Sequence, residues 1–324
     1  MLLELHQFRN YDHRIFNFNE KNLIIGENAS GKSNLMEAIY LTLRGKTKNN
    51  ITNQNLIKFS TNRALLKNTV YGKRIEISIN NKNKTIKFND KKLNSNLILW
   101  QYFKVFYINL FDSLLLSQEP RKKREFLDET IININPEKIK LYKDIKNLNT
   151  QKNFVLKNNK DKELIKSYDI NLTKLSNDIS NLRKEVLNKL FINIREFIDE
   201  EDLEIEFYKG LESKEMKNRE IIESRTKRNL INPSRDNFTI RIRNIDSTFL
   251  STGEIKKFSL ALQLAKIKIF KDCNCISLFD EFNSFLDSIN TNKLLKWVEK
   301  INGYIFISTT SNLNIEDFKR TVLY

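Results

Sequence analysis

A stretch of eight residues near the N terminus constrains this chain more than any other. Residues 26–33 read GENASGKS, with two glycines separated by four residues and followed by a lysine and a serine. This spacing is typical of a phosphate-binding loop. Gly26 and Gly31 can adopt backbone angles that a β-carbon forbids, so the loop can curl with its amide groups pointing inward. Such a loop in front of a helix N terminus predicts a site for nucleotide phosphates.

The sequence on either side of the loop has the order that the motif requires. Residues 23–25 form a short apolar run before it, as expected for a buried strand. After the loop, apolar residues recur at helical spacing, at Leu35, Ala38, Ile39 and Leu43. The alternative is a glycine-containing turn between a strand and a helix. Only 7 of the 324 residues are glycine, so two at the required spacing favour the nucleotide site.

The motif assigns roles to its residues. Lys32 is expected to reach the terminal phosphates, and the Ser33 hydroxyl to hold a magnesium ion that bridges them. ATP and Mg²⁺ are therefore the predicted cofactors. The residues predicted to bind ATP are Gly26, Glu27, Asn28, Ala29, Ser30, Gly31, Lys32, Ser33 and Asn34.

A second motif, ISLFDE at residues 276–281, is a largely apolar run that ends in two acids. In an ATPase with a phosphate loop, an aspartate at the tip of such a strand holds the magnesium shell, which predicts Asp280 as a metal residue beside Ser33. Glu281 is predicted to accept a proton from the attacking water. Many strands end in an acidic turn, so it is the phosphate loop in the same chain that favours the catalytic interpretation.

A third motif, LSTGE at residues 250–254, opens a predicted helix. It resembles the Leu-Ser-Gly-Gly-Gln/Glu signature of ABC-type ATPases, which faces the γ-phosphate of ATP bound to the other subunit. The predicted contacts in trans are Ser251, Thr252, Gly253 and Glu254. The alternative is an ordinary helix cap with a glutamate in the first turn. Asp287 stands where this class carries a short loop that touches the opposite subunit.

The pattern along the rest of the chain predicts an α/β protein with a helical insertion. Up to residue 135 the sequence predicts two strands before the phosphate loop, the loop's helix ending near Arg44, and then a hairpin, a strand and a helix: 74–79 with 84–88, 103–108 and 114–135. After Pro233 the predicted elements are strand 238–245, helix 253–270, strand 275–279, helix 290–301 and strand 304–308. The likeness of residues 250–254 to the ABC signature implies that residues 1–135 and 231–324 form an ABC-type head, a mixed β-sheet flanked by helices.

The segment between these parts, residues 136–230, is highly charged and predicted to be mostly helical, with one amphipathic strand at 203–208. Apolar residues there recur at alternating spacings of four and three, at Tyr168, Leu172, Leu175, Ile179, Leu182 and Val186. This heptad-like seam predicts packing against one neighbouring helix, and hence a projecting helical arm.

Composition adds a partner class. The formal net charge is +16, which favours a polyanion such as nucleic acid. The alternative is that an excess of Lys, Asn and Ile reflects general compositional drift and spreads positive charge evenly over the surface. No apolar stretch is long enough to span a bilayer, so a cytoplasmic protein without membrane association is expected. Cys273 and Cys275, inside an apolar run, favour strand residues over a metal site, which would need more ligands.

Several of these stretches together resemble the RecF family of bacterial recombination ATPases, which is related to SMC heads. They are residues 8–11 (FRNY), 26–40 (GENASGKSNLMEAIY) and 120–128 (PRKKREFLD), with 232–236 (NPSRD) similar to the family's Gly-Pro-His-Arg stretch. The resemblance covers essentially the whole chain, since the signature and the acid pair follow at family-like distances.

The resemblance implies an ATP-dependent homodimer with weak, DNA-stimulated ATPase activity in recombinational repair and replication. Two heads would close around two ATP molecules and clamp double-stranded DNA or single-strand/double-strand gap junctions. RecO and RecR would then help to place RecA on the gapped strand. Four basic residues of the 120–128 stretch would belong to the DNA-contacting surface, namely Arg121, Lys122, Lys123 and Arg124. The alternative for this run is a solvated helix face that supports a neighbouring acid.

The chain also departs from the family pattern. Residues 110–112 read LFD where the family has Pro-Glu-Asp, which leaves Asn109 or Asp112 as candidates for sensing the γ-phosphate and magnesium. Thr252 replaces a usual Arg or Gly, and Asn232 a usual Gly. The final strand ends in Ser-Thr-Thr at 308–310 with no switch histidine. These departures keep two alternatives open: a scaffold that binds ATP and DNA without hydrolysis, and another SMC-like ATPase.

Overall fold

The protein is described here from a computed structural model. The described residues are 1–49, 51–158, 161–198, 200, 202–212, 216, 218–270, 273–282, 294–310, 313, 315 and 317–324. The predicted dimer-loop residue Asp287 and residues 290–293 of the predicted helix 290–301 lie outside them. The chain forms two compact units, Met1–Ser113 with Ile267–Tyr324, and Leu114–Lys266. The second unit is wider than the helical insertion predicted at 136–230, whose separate role as an arm stays a prediction.

The described strands and helices are numbered in chain order. The strands are β1 (Leu2–Phe8), β2 (Tyr11–Asn17), β3 (Lys21–Gly26), β4 (Arg63–Val70), β5 (Lys73–Asn80), β6 (Lys84–Phe88), β7 (Lys91–Lys92), β8 (Lys104–Ile108), β9 (Leu203–Tyr208), β10 (Asn237–Ile242), β11 (Ile245–Asp246), β12 (Cys275–Phe279), β13 (Tyr304–Thr309) and β14 (Lys319–Leu323). The helices are α1 (Lys32–Arg44), α2 (Leu97–Tyr102), α3 (Pro120–Ile134), α4 (Ile139–Asn158), α5 (Lys162–Ile194), α6 (Arg219–Thr226) and α7 (Thr252–Lys268). Within the described ranges, no helix is long and apolar enough to cross a membrane.

A parallel sheet with the order β14-β3-β13-β12-β8 forms the core of the first unit. Every residue of β12 is buried, as expected for a parallel strand covered on both faces. The predicted strands 103–108, 275–279 and 304–308 are confirmed as β8, β12 and β13. Because parallel strands end at the same edge of a sheet, the carboxyl ends of β3, β12 and β13 meet there and position the site described below.

An antiparallel sheet with the order β2-β1-β4-β5-β6-β7 belongs to the same unit. The predicted hairpin is confirmed as β5 and β6, whose buried residues Ile75, Ile77 and Ile79 alternate with more exposed ones. The prediction of two strands before the phosphate loop was wrong, because β1, β2 and β3 all precede it. β2 has no alternating apolar pattern, since only its first and sixth residues are buried. β4 was also not predicted.

Local signals set the ends of the first helices. Gly45 follows α1 with a left-handed φ of 69°, and its N–H donates to Leu41 O at 2.8 Å, which confirms the predicted end near Arg44. The helix predicted at 114–135 is instead a 3₁₀ segment, Asp112–Ser117, followed by α3. Pro120 occupies the first turn of α3, where its missing N–H costs nothing.

The second unit contains α3 to α6 and an antiparallel sheet with the order β11-β10-β9. In the predicted seam of α5, Leu172, Ile179 and Val186 are buried and the other members are half-buried. The predicted strand 238–245 is two strands, because Arg243 and Asn244 adopt left-handed φ angles of 51° and 64° and turn the chain from β10 into β11.

A buried ion network links two of the family-like stretches in this unit. Arg183 of α5 donates from Nη2 to Asp128 at 2.8 Å and from Nη1 to Asp236 at 2.9 Å. Asp128 belongs to residues 120–128 and Asp236 to residues 232–236. Asp236 also accepts from Ser180 Oγ at 2.7 Å and from Gly210 N at 2.9 Å. These acids therefore hold the second unit together.

Candidate nucleotide site

The phosphate loop connects β3 to α1 and depends on its two glycines. Gly31 has a left-handed φ of 101°, and a Cβ placed on it would lie 2.5 Å from Asn10 Nδ2 and 2.9 Å from Tyr11 Oη. A Cβ on Gly26 would lie 2.4 Å from Ser30 Oγ. Since real side chains do not tolerate such approaches, a larger residue at either position would displace the loop.

The turn between β1 and β2 supports the loop from outside. Tyr11 Oη donates to Gly31 O at 3.0 Å, and Asn34 Nδ2 donates to Asn10 Oδ1 at 2.8 Å. Burial raises the pKa of Tyr11 above its ordinary value, so the phenol stays protonated as a donor. The family resemblance marks residues 8–11 without giving them a role, and the structure shows that Asn10 and Tyr11 brace the loop.

Lys32 lies inside the loop. Its Nζ donates to Gly26 O at 2.7 Å and to Glu27 O at 2.6 Å, and the residue is buried. Burial lowers the pKa of Lys32, and the nearby carboxylates Asp280 and Glu281 act in the opposite direction. The ammonium is therefore held by two neutral carbonyl oxygens, a weaker set of partners than the phosphate oxygens that the motif predicts for it.

Asp280, at the carboxyl end of β12, gathers hydroxyl donors from three elements. Its Oδ1 accepts from Ser308 Oγ at 2.6 Å and from Ser33 Oγ at 3.2 Å, and its Oδ2 accepts from Tyr107 Oη at 2.7 Å. Burial raises the pKa of Tyr107 well above its ordinary value, and the charge of Asp280 adds to this. The structure thus brings together Ser33 and Asp280, the two predicted magnesium residues.

Glu281 directly follows and is held in an uncommon backbone conformation. Its φ of 58° is left-handed, which costs a residue other than glycine about 1–3 kcal/mol. Its N–H donates to Ser308 Oγ at 2.9 Å, while its side chain remains exposed. The backbone is fixed and the carboxylate is directed to solvent, as a proton acceptor for water requires.

A cavity of about 460 Å³ lies between the phosphate loop and Glu281. It is lined by Asn28, Ala29, Gly31, Lys32, Ser33, Asn34, Glu281, Thr309 and Thr310. Most of the predicted ATP-binding residues therefore share one space with the predicted general base. Gly26, Glu27 and Ser30 belong to the loop, but within the described part of the chain they do not line this cavity. The roles of all these residues stay predictions.

Two supporting residues were not predicted from sequence. Tyr107 lies near the end of β8 and Ser308 near the end of β13, and each donates to Asp280. The available signal was their position, a polar group near the carboxyl end of an apolar strand, where α/β sheets place their ligand sites.

The candidate γ-phosphate sensors form a tight local turn. Asp112 Oδ2 accepts from Asn109 N at 3.0 Å, and Asp112 N donates to Asn109 Oδ1 at 3.1 Å. Lys48 Nζ pairs with the same carboxylate at 2.5 Å. Asp112 is therefore neutralised by a lysine, and its sensing role stays a prediction.

The signature-like turn opens α7, with Ser251, Thr252 and Gly253 exposed. Ser251 donates from N and Oγ to Glu254 Oε2 at 3.1 and 2.8 Å, and Glu254 N donates back to Ser251 Oγ at 3.3 Å. This is a reciprocal capping box. Arg243 Nη2 donates to Glu254 Oε1 at 2.7 Å. The turn is locally the helix cap named as the alternative, and its predicted contact in trans stays a prediction.

The basic run of α3 does not form one surface. Arg121 and Lys122 both pair with Glu125, at 3.0 and 2.8 Å. Lys123 is only 3% exposed, with its Nζ 5.7 Å from the centre of the Phe238 ring. Its predicted contact with DNA is therefore not supported, because a buried ammonium cannot reach a phosphate.

Arg124, the last of the four, donates from Nη1 to Asp236 O at 2.8 Å and is half-buried. Arg121 and Lys122 are exposed and keep their predicted role. The structure thus divides a run that looks uniform in sequence into two solvent-facing residues and two that support the fold.

Comparison with known proteins gives a consistent family. The model of the RecF/RecN/SMC N terminal domain matches residues 1–322. The DNA replication and repair protein RecF of Clostridium acetobutylicum is 29% identical over 334 residues, which cover 94% of this chain and 91% of that protein. RecF of Clostridium botulinum strain Langeland is 30% identical over 332 residues, covering 94% and 90%.

Solved structures agree with this at the level of the fold. The recombination mediator protein RecF with ATP, of the RecFOR pathway, matches with a TM-score of 0.86 and 27% identity over 100% of this chain and 95% of that one. An Smc head bound to the C-winged helix domain of ScpA matches with a TM-score of 0.57 and 14% identity, over 96% and 89%. The predicted α/β fold of an ABC-type ATPase head is therefore confirmed.

Proposed function

The chain belongs to the RecF/RecN/SMC N terminal domain family, and from that premise we propose that it is an ATP-dependent DNA-binding protein of recombinational repair and replication restart. One observation carries the proposal. Lys32, Ser33 and Glu281 line a cavity of about 460 Å³ at one edge of the parallel sheet, and Asp280 accepts a hydrogen bond from the Ser33 hydroxyl. This is the set of groups that binding and hydrolysis of a nucleoside triphosphate require.

Each group has a distinct role in the proposal. The loop amides and Lys32 bind the β- and γ-phosphates of ATP. Ser33 and Asp280 fit Mg²⁺, a hard cation that prefers oxygen ligands, since their oxygens lie 3.2 Å apart. Mg²⁺ neutralises charge on the phosphates when it is bound. Glu281 accepts the proton of the attacking water, and Ser308 fixes the backbone from which it projects.

The second half of each ATP site comes from another copy of the chain. Ser251, Thr252, Gly253 and Glu254 of one subunit face the γ-phosphate bound by the other. Asp287, outside the described residues, is the residue proposed to contact the opposite subunit. The exposure of residues 251–253 and the helix N terminus behind them support this arrangement. ATP binding closes the dimer, and slow hydrolysis opens it.

The closed dimer clamps double-stranded DNA or a single-strand/double-strand gap junction. The net charge of +16 supports a polyanion as partner. Arg121 and Lys122 contribute to the DNA contact, and residues 136–230 act as a helical arm on a head made of 1–135 and 231–324. The similar protein whose structure is described as RecF in the RecFOR pathway supports RecO and RecR as partners. RecA loading is the proposed outcome of that partnership.

The test is to measure the size of the Glu281→Gln protein in solution with ATP, with and without gapped duplex DNA. Glutamine keeps the shape of Glu281 but cannot accept a proton, so turnover should fall about 10²–10⁴-fold. ATP binding should persist and the dimer should accumulate, most strongly with DNA. A variant that turns over ATP at the wild-type rate, or that stays monomeric with ATP and DNA, would refute the mechanism.

A second candidate is a scaffold that binds ATP and DNA without hydrolysis. Another SMC-like ATPase is the remaining alternative. The scaffold is favoured by the ion pair between Lys48 and Asp112, which engages the carboxylate of one of the two candidate sensor residues. ATP hydrolysis with and without gapped duplex separates the two candidates, with Lys32→Ala as the background. The scaffold predicts no turnover above that background under either condition.

A further inference from the structure

Both histidines of the chain lie together on one face of the antiparallel sheet. The chain has two histidines in all, His6 and His13, and they are directly opposed in the register of β1 and β2. Their rings stack, with centroids 4.2 Å apart and an angle of 12° between planes. Glu4 precedes His6 by two residues on β1, so its side chain projects from the same face. Neither the nucleotide site nor the proposed mechanism uses these three residues.

Their donor atoms converge. Glu4 Oε1 lies 2.6 Å from His6 Nε2 and 3.5 Å from His13 Nε2. One ligand atom from each residue lies within 4.8 Å of the other two. A tetrahedral zinc site with bonds of about 2.0–2.1 Å places neighbouring ligand atoms about 3.3 Å apart. The two distances to Glu4 bracket that value, and the stacked imidazole rings would have to rotate for both Nε2 lone pairs, which lie in the ring planes, to point at one ion.

We propose that Glu4, His6 and His13 form a binding site for a divalent transition metal of the zinc class. Two imidazoles and one carboxylate suit Zn²⁺, Ni²⁺ or Cu²⁺, whereas Mg²⁺ and Ca²⁺ prefer oxygen ligands throughout. The site differs from the magnesium site proposed at Ser33 and Asp280 in residues and in chemistry. It does not depend on the proposed function of the chain.

The surroundings permit access and introduce one competitor. Glu4 and His6 are half-buried and His13 is exposed, so an ion can reach all three from solvent. Lys67 Nζ lies 3.3 Å from Glu4 Oε2 and competes with a cation for that carboxylate. The metal would fasten β1 to β2 next to the turn whose Asn10 and Tyr11 brace the phosphate loop.

The experiment titrates Zn²⁺ into the untagged, chelator-treated full chain by calorimetry and Co²⁺ by absorption. One equivalent should bind, and the Co²⁺ spectrum should show tetrahedral d–d bands. His6→Ala and His13→Ala should each weaken affinity about tenfold or more, because even outer partners of metal ligands are worth about 10–100-fold. Zn²⁺ should raise the Tm of the wild type and leave that of the double variant unchanged.

Two variants serve as matched controls. Glu76→Gln removes a carboxylate from β5 that is not part of the site, where Glu76 is opposite Lys67 and pairs with Lys87, and should not change zinc affinity. Lys32→Ala should also leave it unchanged, since it alters only the nucleotide site. Lys67→Gln should tighten binding by freeing Glu4.

Two results would overturn the proposal. One is a wild-type chain that binds no zinc, in which case the histidines only pair across the strands. The other is equal zinc affinity in the wild type and in the His6→Ala/His13→Ala double variant, which would place the ion elsewhere.

Discussion

Two clusters, one in each compact unit, combine a cationic side chain with two carboxylates but differ in what these groups contact. In the first unit Lys32 and Glu281 line a cavity, and Asp280 lies close enough to act on the charge of Lys32. In the second, Arg183 lies between Asp128 and Asp236, with all three side chains buried or nearly so. Lys32 and Glu281 border a space that a ligand can enter, whereas the side chains of the second cluster contact one another. Charged residues in a sequence therefore indicate a site only when their partners leave room for a ligand.

The protonation equilibria of the two cations differ accordingly. Burial works against the charge of Arg183, but the hydrogen bonds to Asp128 raise the pKa of Arg183 above its ordinary value. Burial lowers the pKa of Lys32, because its contacts are carbonyl oxygens and the carboxylates of Asp280 and Glu281 compensate only in part. The guanidinium of Arg183 is stabilised by two carboxylates, whereas the ammonium of Lys32 is one that a phosphate would stabilise further.

The largest effect on stability is expected in the second unit. Arg183→Met leaves Asp236, which is 0% exposed, without its cation. Breaking a buried pair in this way costs about 3–5 kcal/mol in the free energy of unfolding, measured by chemical denaturation. The control is Arg241→Met, an exposed pair with Glu206 at 3.3 Å, which should cost less than about 1 kcal/mol. Equal losses in the two variants would remove the distinction between the clusters.

The corresponding change in the first unit should affect binding and leave stability intact. Lys32→Ala removes the cation that the phosphates require, a loss of about 2–5 kcal/mol in ATP binding free energy. The measurement is titration with a fluorescent ATP analogue. Lys84→Ala is the control, since Lys84 is half-buried and, like Lys32, donates to a backbone carbonyl, Gly45 O at 2.8 Å. Unchanged ATP affinity in Lys32→Ala would contradict the assignment of the loop.

Sequence alone predicted the parts whose chemistry is local. The phosphate loop needs glycines at fixed positions, and the strand that ends in Asp280 and Glu281 is a continuous apolar run, so both leave a clear pattern. β2 was missed because its burial does not alternate. Ser308 and Tyr107 were missed because their role comes from strand order: β8 and β13 lie on either side of β12, and sequence does not give that order.

The burial of Lys123 was missed for the same reason. Its partner, Phe238, lies more than a hundred residues away on β10, so nothing in the basic run itself separates Lys123 from Lys122. The acids of the second unit show the reverse case, since Asp128 and Asp236 stand in family-like stretches yet bond to Arg183 inside the fold. Resemblance marked them, and only the structure shows what they contact.

A smaller effect is expected from Ser308, which belongs to the first cluster but is neutral. Ser308→Ala removes the donor to Asp280 and the acceptor of the Glu281 N–H. Hydrogen bonds to charged groups are worth about 1.5–3 kcal/mol, so ATP turnover should fall about 10–100-fold. ATP affinity should change much less, because the phosphate contacts remain.

The neighbouring strand offers the control for this test. Ser277→Ala changes a buried serine of β12 whose hydroxyl has no hydrogen-bond partner among the described residues. Its turnover should match the wild type. If Ser277→Ala and Ser308→Ala behave alike, Ser308 only fills space.

The smallest effect on stability is expected at Lys122, which shows what a charge does when it belongs to neither cluster. Lys122 pairs with Glu125 on the exposed face of α3, and such pairs contribute about 0–1 kcal/mol. Lys122→Ala should therefore leave the free energy of unfolding nearly unchanged. If the residue neutralises a DNA phosphate, the slope of log affinity against log salt should become shallower by about 0.9.

The comparison that decides its role is with Lys91→Ala, which removes the same charge from an exposed position in β7. A shallower slope in Lys122→Ala alone places a DNA phosphate at α3. The same slope in both variants, equal to that of the wild type, means that Lys122 only supports Glu125 and that DNA is held elsewhere. A shift in both would mean that the net charge of +16 attracts DNA without a defined contact. Because stability barely changes in either variant, the salt slope reports on DNA contact and not on folding.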